Sequence, residues 1–207
     1  MSCRLQGGLG CRSASTSLGF TLVDVLVAIL VLSFGVLGAV GMQAAGLQAN
    51  REARIQATAS YLAREFTEMV RGNNGVGILA NNPYLGDHTS SLTYATPTYC
   101  LSAGASACAD STAVARAEMT EWLARVATQL PGAKVMVCFD TQPIDAGGTP
   151  QWACDGNGDI MVVKLGWTRA STDGSAVGVN ALDRATIPGI VLPVTAGSNI
   201  AYLAPGS

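Results

Sequence analysis

Lysine is nearly absent. Only Lys134 and Lys164 occur in 207 residues, and charged side chains of all kinds make up 13% of the chain. Twelve Lys+Arg against fourteen Asp+Glu leave a net charge of −2. With no basic stripe to neutralise phosphates, the composition argues against a nucleic-acid partner. There is one histidine, His88, and no C-x-x-C pair, so the usual zinc-ligand spacings are missing. No repeat of 20–50 residues is visible, which argues against a solenoid or propeller. A hydrophobic share of 49% and a mean hydropathy of +0.33 rule out a chain disordered throughout. The length suits one domain with appendages rather than two ordinary domains.

The hydropathy is concentrated at one place. Phe20–Met42 reads FTLVDVLVAILVLSFGVLGAVGM, 23 residues interrupted only by Thr21, Asp24 and Ser33. As a helix it spans roughly 35 Å, enough to cross a hydrocarbon core about 30 Å thick. The 19 residues before it carry Arg4 and Arg12 and no acid, so that end is expected to stay cytoplasmic while the rest is exported. A secretory signal peptide is the first competing reading, with Leu22 to Leu37 as its apolar region and cleavage near Ala44 or Ala45. Two features oppose it: the run exceeds the usual ~7–15 residues, and it contains Asp24. A lipoprotein signal at Cys11 fails because no apolar stretch precedes that cysteine. An acid within a membrane segment costs up to roughly 2.5–3.5 kcal/mol, less near an end, so Asp24 is expected to find a partner.

The residues Gly19-Phe20-Thr21-Leu22-Val23-Asp24-Val25-Leu26-Val27 closely resemble the class III signal of type IV prepilins. In that family a short basic leader ends in Gly and is cut on the cytoplasmic side by a prepilin peptidase. The new N-terminal Phe is then methylated, and the apolar helix is kept. By position, the resemblance implies cleavage between Gly19 and Phe20 and an N-methyl group on Phe20. Asp24 stands where the family has Glu, the residue thought to pair with the N-terminal amine of a neighbouring subunit during assembly. Elementary chemistry supports the same roles: an ammonium and a carboxylate in lipid, each without a partner in its own helix, would satisfy one another across a bundle.

The continuation LSFGVLGAVGMQ, with Gly35, Gly38 and Gly41, further resembles the minor pilin family called type IV pilus modification protein PilV. Gly35 and Ala39 have the small-xxx-small spacing that lets helix backbones approach closely in lipid. Each glycine also lowers helix propensity by about 1 kcal/mol, which would let this stretch extend or unwind within a filament.

Beyond Met42 the helix is expected to continue. Ile55, Ala59, Leu62, Phe66, Met69 and Val70 form one apolar stripe. Arg51, Glu52, Arg54, Arg64, Glu65, Glu68 and Arg71 take the other faces, with Arg64 and Glu68 paired at i, i+4. Gly72-Asn73-Asn74-Gly75 suits a left-handed cap and a stop. Residues from Gly75 to Asp110 read as loop. A second helix is expected over Ser111–Leu130, with Asp110 as N-cap and Ala115, Met119, Trp122, Leu123, Val126 and Leu130 buried; Pro131-Gly132 ends it. Strands are expected at Lys134–Asp140 and Ile160–Thr168, the second placing Met161, Val163, Leu165 and Trp167 on one face. Gly189–Val194 and Ile200–Leu203 carry weaker strand signals. The expected fold is therefore α+β and pilin-like: a leader (1–19), a long helix (20–72, membrane-spanning over 20–42), and a head (73–207) with a small antiparallel sheet and a second helix. The segments around Trp122…Leu130-Pro131-Gly132 and Val162–Trp167 also resemble the PilV-type head, more loosely than the junction does.

Cys3 and Cys11 fall in the leader, leaving Cys100, Cys108, Cys138 and Cys154 in the head. An even number in an exported domain favours disulfides. Three connectivities are open; Cys100–Cys108 with Cys138–Cys154 is preferred because each pair brackets a turn-rich loop. Asp155-Gly156-Asn157-Gly158-Asp159 begins like an EF-hand loop, but Ile160 and Gly166 stand where Gly and Glu are needed, so a plain turn is the better reading. His88 beside Asp87 and Ser90 supplies nucleophile-dyad ingredients without any sign of the geometry. No catalytic constellation, cofactor motif or metal set emerges, and an enzyme is not expected.

The resemblance thus implies a non-enzymatic minor pilin. It would sit in the inner membrane as a single-pass precursor with an exported head, then join other minor and major pilins in the pilus. There it would prime assembly and help present a tip adhesin. A minor pseudopilin of a type II secretion system shares the leader, helix and small head. A third possibility is an exported enzyme or binding module tethered by one helix.

Overall fold

The computed structural model describes residue 19 and residues 21–90, 92–95, 100, 106–158, 160–171 and 182–195. The leader with Cys3 and Cys11, Phe20, Asp159 and the strand expected at Ile200–Leu203 lie outside the described residues. Helix α1 runs Leu22–Gly72. The chain divides into two compact units within this helix, at Gln48/Ala49.

In the first unit, α1 is exposed at every residue from Leu22 to Gln48. Its sequence is rich in Leu, Ala and Val, and its backbone bonds are met within the helix, as a nonpolar medium demands. Even the Ser33 hydroxyl is satisfied locally, donating to the Ile29 carbonyl at 2.7 Å.

The second unit starts with the later turns of α1. After it come a single-turn helix α2 (Asn74–Gly77), strand β1 (Gly86–His88) and helix α3 (Ser111–Gln129). Strands β2 (Lys134–Phe139), β3 (Met161–Gly166), β4 (Thr168–Ala170), β5 (Leu182–Arg184) and β6 (Ile190–Val194) complete it. The main sheet has the order β1-β2-β3-β6 and is antiparallel throughout, while β4 and β5 form a separate pair. A long N-terminal apolar helix with a small antiparallel sheet and further helices makes the fold α+β.

The core joins three surfaces. Ala59, Leu62, Phe66 and Val70 of α1 meet Ala115, Met119, Trp122 and Val126 of α3, and both meet Val135, Val137, Met161, Val163 and Leu165 of the sheet. Phe66 lies at the centre, its ring 4.8 Å from that of Trp122 and edge-on to Tyr84 at 6.1 Å. Trp122 is fully buried, and its indole N–H donates to the Leu62 carbonyl at 3.0 Å, as a buried indole must find an acceptor. Asp110 caps α3, its carboxylate accepting from the Ala113 N–H at 2.7 Å. Gly132, at φ +58°, makes the turn out of α3 that no β-carbon tolerates easily.

Three local expectations are corrected. No left-handed residue follows α1: Asn73 has φ −121°, its side chain donates to the Ser111 carbonyl at 2.7 Å, and its own carbonyl starts α2. A long-range amide contact thus replaces the local cap. Glu68 pairs with Arg71 at 2.9 Å rather than with Arg64, and Glu65 is taken by Arg125 of α3 at 2.7 Å. The stretch read as loop contains β1, too short and polar (Gly-Asp-His) to carry a strand pattern; pairing with Val135–Val137 makes it one.

Candidate assembly site

The start of α1 is fixed by a reciprocal pair. Thr21 precedes the first helical residue, and its backbone N–H and hydroxyl both donate to Asp24 Oδ2, at 3.0 and 2.8 Å. Asp24 N–H returns a bond to Thr21 Oγ1 at 3.3 Å. This is a capping box with a carboxylate at the third helical position, where it also meets the positive end of the helix dipole. The expectation that Asp24 lacks a partner in its own helix is therefore corrected. The threonine, three residues upstream, satisfies one of the two carboxylate oxygens locally. Among the described residues nothing donates to Asp24 Oδ1, so one oxygen remains able to accept.

Among the described residues nothing covers the apolar surface next to this cap. Fifteen large apolar side chains between Leu22 and Leu47 are exposed. At roughly 1.5–3 kcal/mol for burying each, tens of kcal/mol depend on a lipid or protein environment outside the subunit. Gly35, Gly38 and Gly41 lie in this region, and a β-carbon built on any of them would meet no atom within 4 Å. Among the described residues no contact requires these glycines. Their effect is to leave shallow notches on the helix, which another helix can enter.

The head is organised oppositely. Cys100 is bonded to Cys108, and Cys138 to Cys154. Beside the second disulfide lies a pair that sequence reasoning missed. Lys164, in the middle of β3, is wholly buried, with its ammonium 2.6 Å from Asp140 Oδ2 and 2.7 Å from the Ala153 carbonyl. Every residue of β3 is buried, so the strand is covered on both faces, and the loop between Asp140 and Ile160 supplies the second cover. A weak signal existed. One of only two lysines interrupts an apolar strand, Val162-Val163-Lys164-Leu165, an arrangement that requires an acid nearby.

The other candidate side chains are engaged in local bonds. The Asp87 carboxylate accepts from Thr89 N–H and Oγ1 at 2.9 and 2.7 Å, and the Thr89 hydroxyl bond chiefly holds its pKa below the ordinary carboxylate value. The pKa of the His88 imidazole is pushed down by burial. Asp155 of the EF-hand-like stretch accepts from Thr141 and from Asn157 N–H, closing its own turn. Cys138, Asp140 and Cys154 cluster closely enough to suggest a metal set, but the sulfurs are joined to each other and Asp140 is held by Lys164. The Tyr84 hydroxyl donates to Glu118 at 2.6 Å, and burial together with that carboxylate raises its pKa. No protein-family model, curated protein or solved structure matches this chain.

Proposed function

We propose that the protein is a minor pilin of a type IV pilus, of the PilV type. In this reading prepilin peptidase cuts between Gly19 and Phe20 and methylates the Phe20 amine. The first part of α1 then holds the precursor in the inner membrane with the head exported. Assembly transfers the helix from lipid into a filament made with other minor and major pilins, at a tip complex that primes polymerisation and presents an adhesin.

The observation that carries this reading is the apolar first part of α1, exposed from Leu22 to Gln48, with a carboxylate fixed in its first turn. The Thr21 bonds hold that carboxylate in one orientation, and Oδ1 accepts the ammonium of a neighbouring Phe20 through a charge-assisted bond. Preorganisation of this kind compensates for the shorter reach of Asp relative to Glu. The notches at Gly35, Gly38 and Gly41 support close packing of the same helix against others.

The direct test replaces Asp24 with Ala in cells lacking other copies of the protein, and measures cleavage and incorporation separately. Cleavage is expected to persist while the protein in sheared filaments falls by about tenfold or more, the loss of one charge-assisted bond in a nonpolar setting. Asp24→Glu is expected to retain incorporation. Equal incorporation of Asp24→Ala and the parent would overturn the assembly role.

A further inference from the structure

A groove in the head is lined by none of the residues assigned above to assembly. Arg116, Met119, Thr120 and Leu123, at i, i+3, i+4 and i+7, present one face of α3 towards Leu85 and His88 at the β1 edge of the sheet. Together with Tyr94 and its neighbours they enclose about 440 Å³, enough for one or two side chains of a bound segment. Met119 and Leu123 form an almost wholly buried apolar floor, while the Tyr94 ring is 43% exposed at the rim.

The one arginine of this groove is exposed to solvent. Among the described residues the Arg116 guanidinium has no hydrogen-bond or ion-pair partner, and no acid lines the groove. Three acids adjoin its lining residues in sequence: Asp87 is committed to Thr89 and Glu118 to the Tyr84 hydroxyl, while Glu121, beside Thr120, is exposed and does not line the groove. One cation over an apolar floor, edged by Tyr and Met, is the composition enriched at protein–protein contacts, not a set that orients a small metabolite.

We infer that this groove docks a peptide segment of another protein, one that presents an Asp or Glu side chain beside a large apolar residue. The carboxylate pairs with Arg116, and the apolar neighbour packs on Met119 and Leu123. This goes beyond the pilin reading and stands without it, because it concerns the head alone and can be measured without filaments.

The test uses the full chain in detergent micelles with its methionine methyls carbon-13 labelled, followed by NMR. The probes are the blocked pentapeptide acetyl-Ala-Leu-Glu-Leu-Ala-amide, its Gln and Lys counterparts, and acetate. Saturable movement of the Met119 signal by the Glu peptide is expected, with the Gln and Lys peptides about tenfold weaker or worse. Arg116→Gln is expected to abolish the preference for Glu over Gln, and Arg116→Lys to keep part of it, with the Met161 signal unchanged in both as a check on the fold. Equal response to Glu and Gln peptides, an unmoved Met119 signal, or an equal response to acetate alone would overturn the proposal. Micelle partitioning of the peptide moves Glu and Gln forms alike and so counts against it.

Discussion

The two parts of α1 obey opposite rules. From Ala49 onward the helix gives up its apolar stripe to the head: Ala59, Leu62, Phe66 and Val70 are buried, and Glu52 and Glu65 reach Trp167 and Arg125. From Leu22 to Gln48 the same helix buries nothing, and its acid is answered by a threonine one turn away. The second unit buries its apolar side chains within itself, whereas the first part of α1 leaves its own exposed. On the pilin reading, stability is therefore expected to be a property of the head and assembly a property of the apolar part of α1, with substitutions in one leaving the other largely untouched.

The sharpest way to break that separation is at Lys164. Lys164→Met leaves Asp140 buried without its partner, and the head is expected to lose about 3–5 kcal/mol in urea unfolding of the full chain in detergent. Lys164→Met combined with Asp140→Leu should recover most of it, since the pair as a whole offsets much of its own desolvation. A loss in the single variant of under about 1 kcal/mol would mean the head does not depend on its internal pairing. A smaller effect is expected at the neighbouring disulfide. Replacing Cys138 and Cys154 together by Ala frees a loop of sequence separation 16 and should cost about 3 kcal/mol, read from the same unfolding curves.

The smallest expected effect on stability is in the anchor. Gly38→Leu meets open space within the subunit, so head unfolding should shift by less than about 0.5 kcal/mol. On the pilin reading, incorporation into filaments should fall nonetheless, because the notch is filled. A head destabilised by Gly38→Leu, or filaments indifferent to it, would undo the division of labour between the two regions.

Much of this arrangement was legible from the residues. Asp110 before an apolar 3.6-residue pattern announced α3, and all six residues expected to be buried on it or at its end are buried. The alternation in β2 and the Pro131-Gly132 stop were equally readable, because they are local. The features that escaped are those decided at a distance. Lys164 is buried because the loop after Asp140 covers a face of β3 that alternation alone would leave to solvent. Asn73 avoids the left-handed cap because Ser111 offers its carbonyl. β1 is a strand only through its partner β2. At the start of α1 the local bonding is legible too, because Thr21-x-x-Asp24 has the spacing of a capping box.

The central claim is that the apolar helix is kept at maturation and begins at a modified Phe20. Mass spectrometry of the N-terminal peptide of the exported protein tests it most directly. The expected result is a mature chain whose first residue is Phe20 carrying one N-methyl group. An N-terminus near residue 46, or a chain still bearing Arg4 and Arg12, would contradict it.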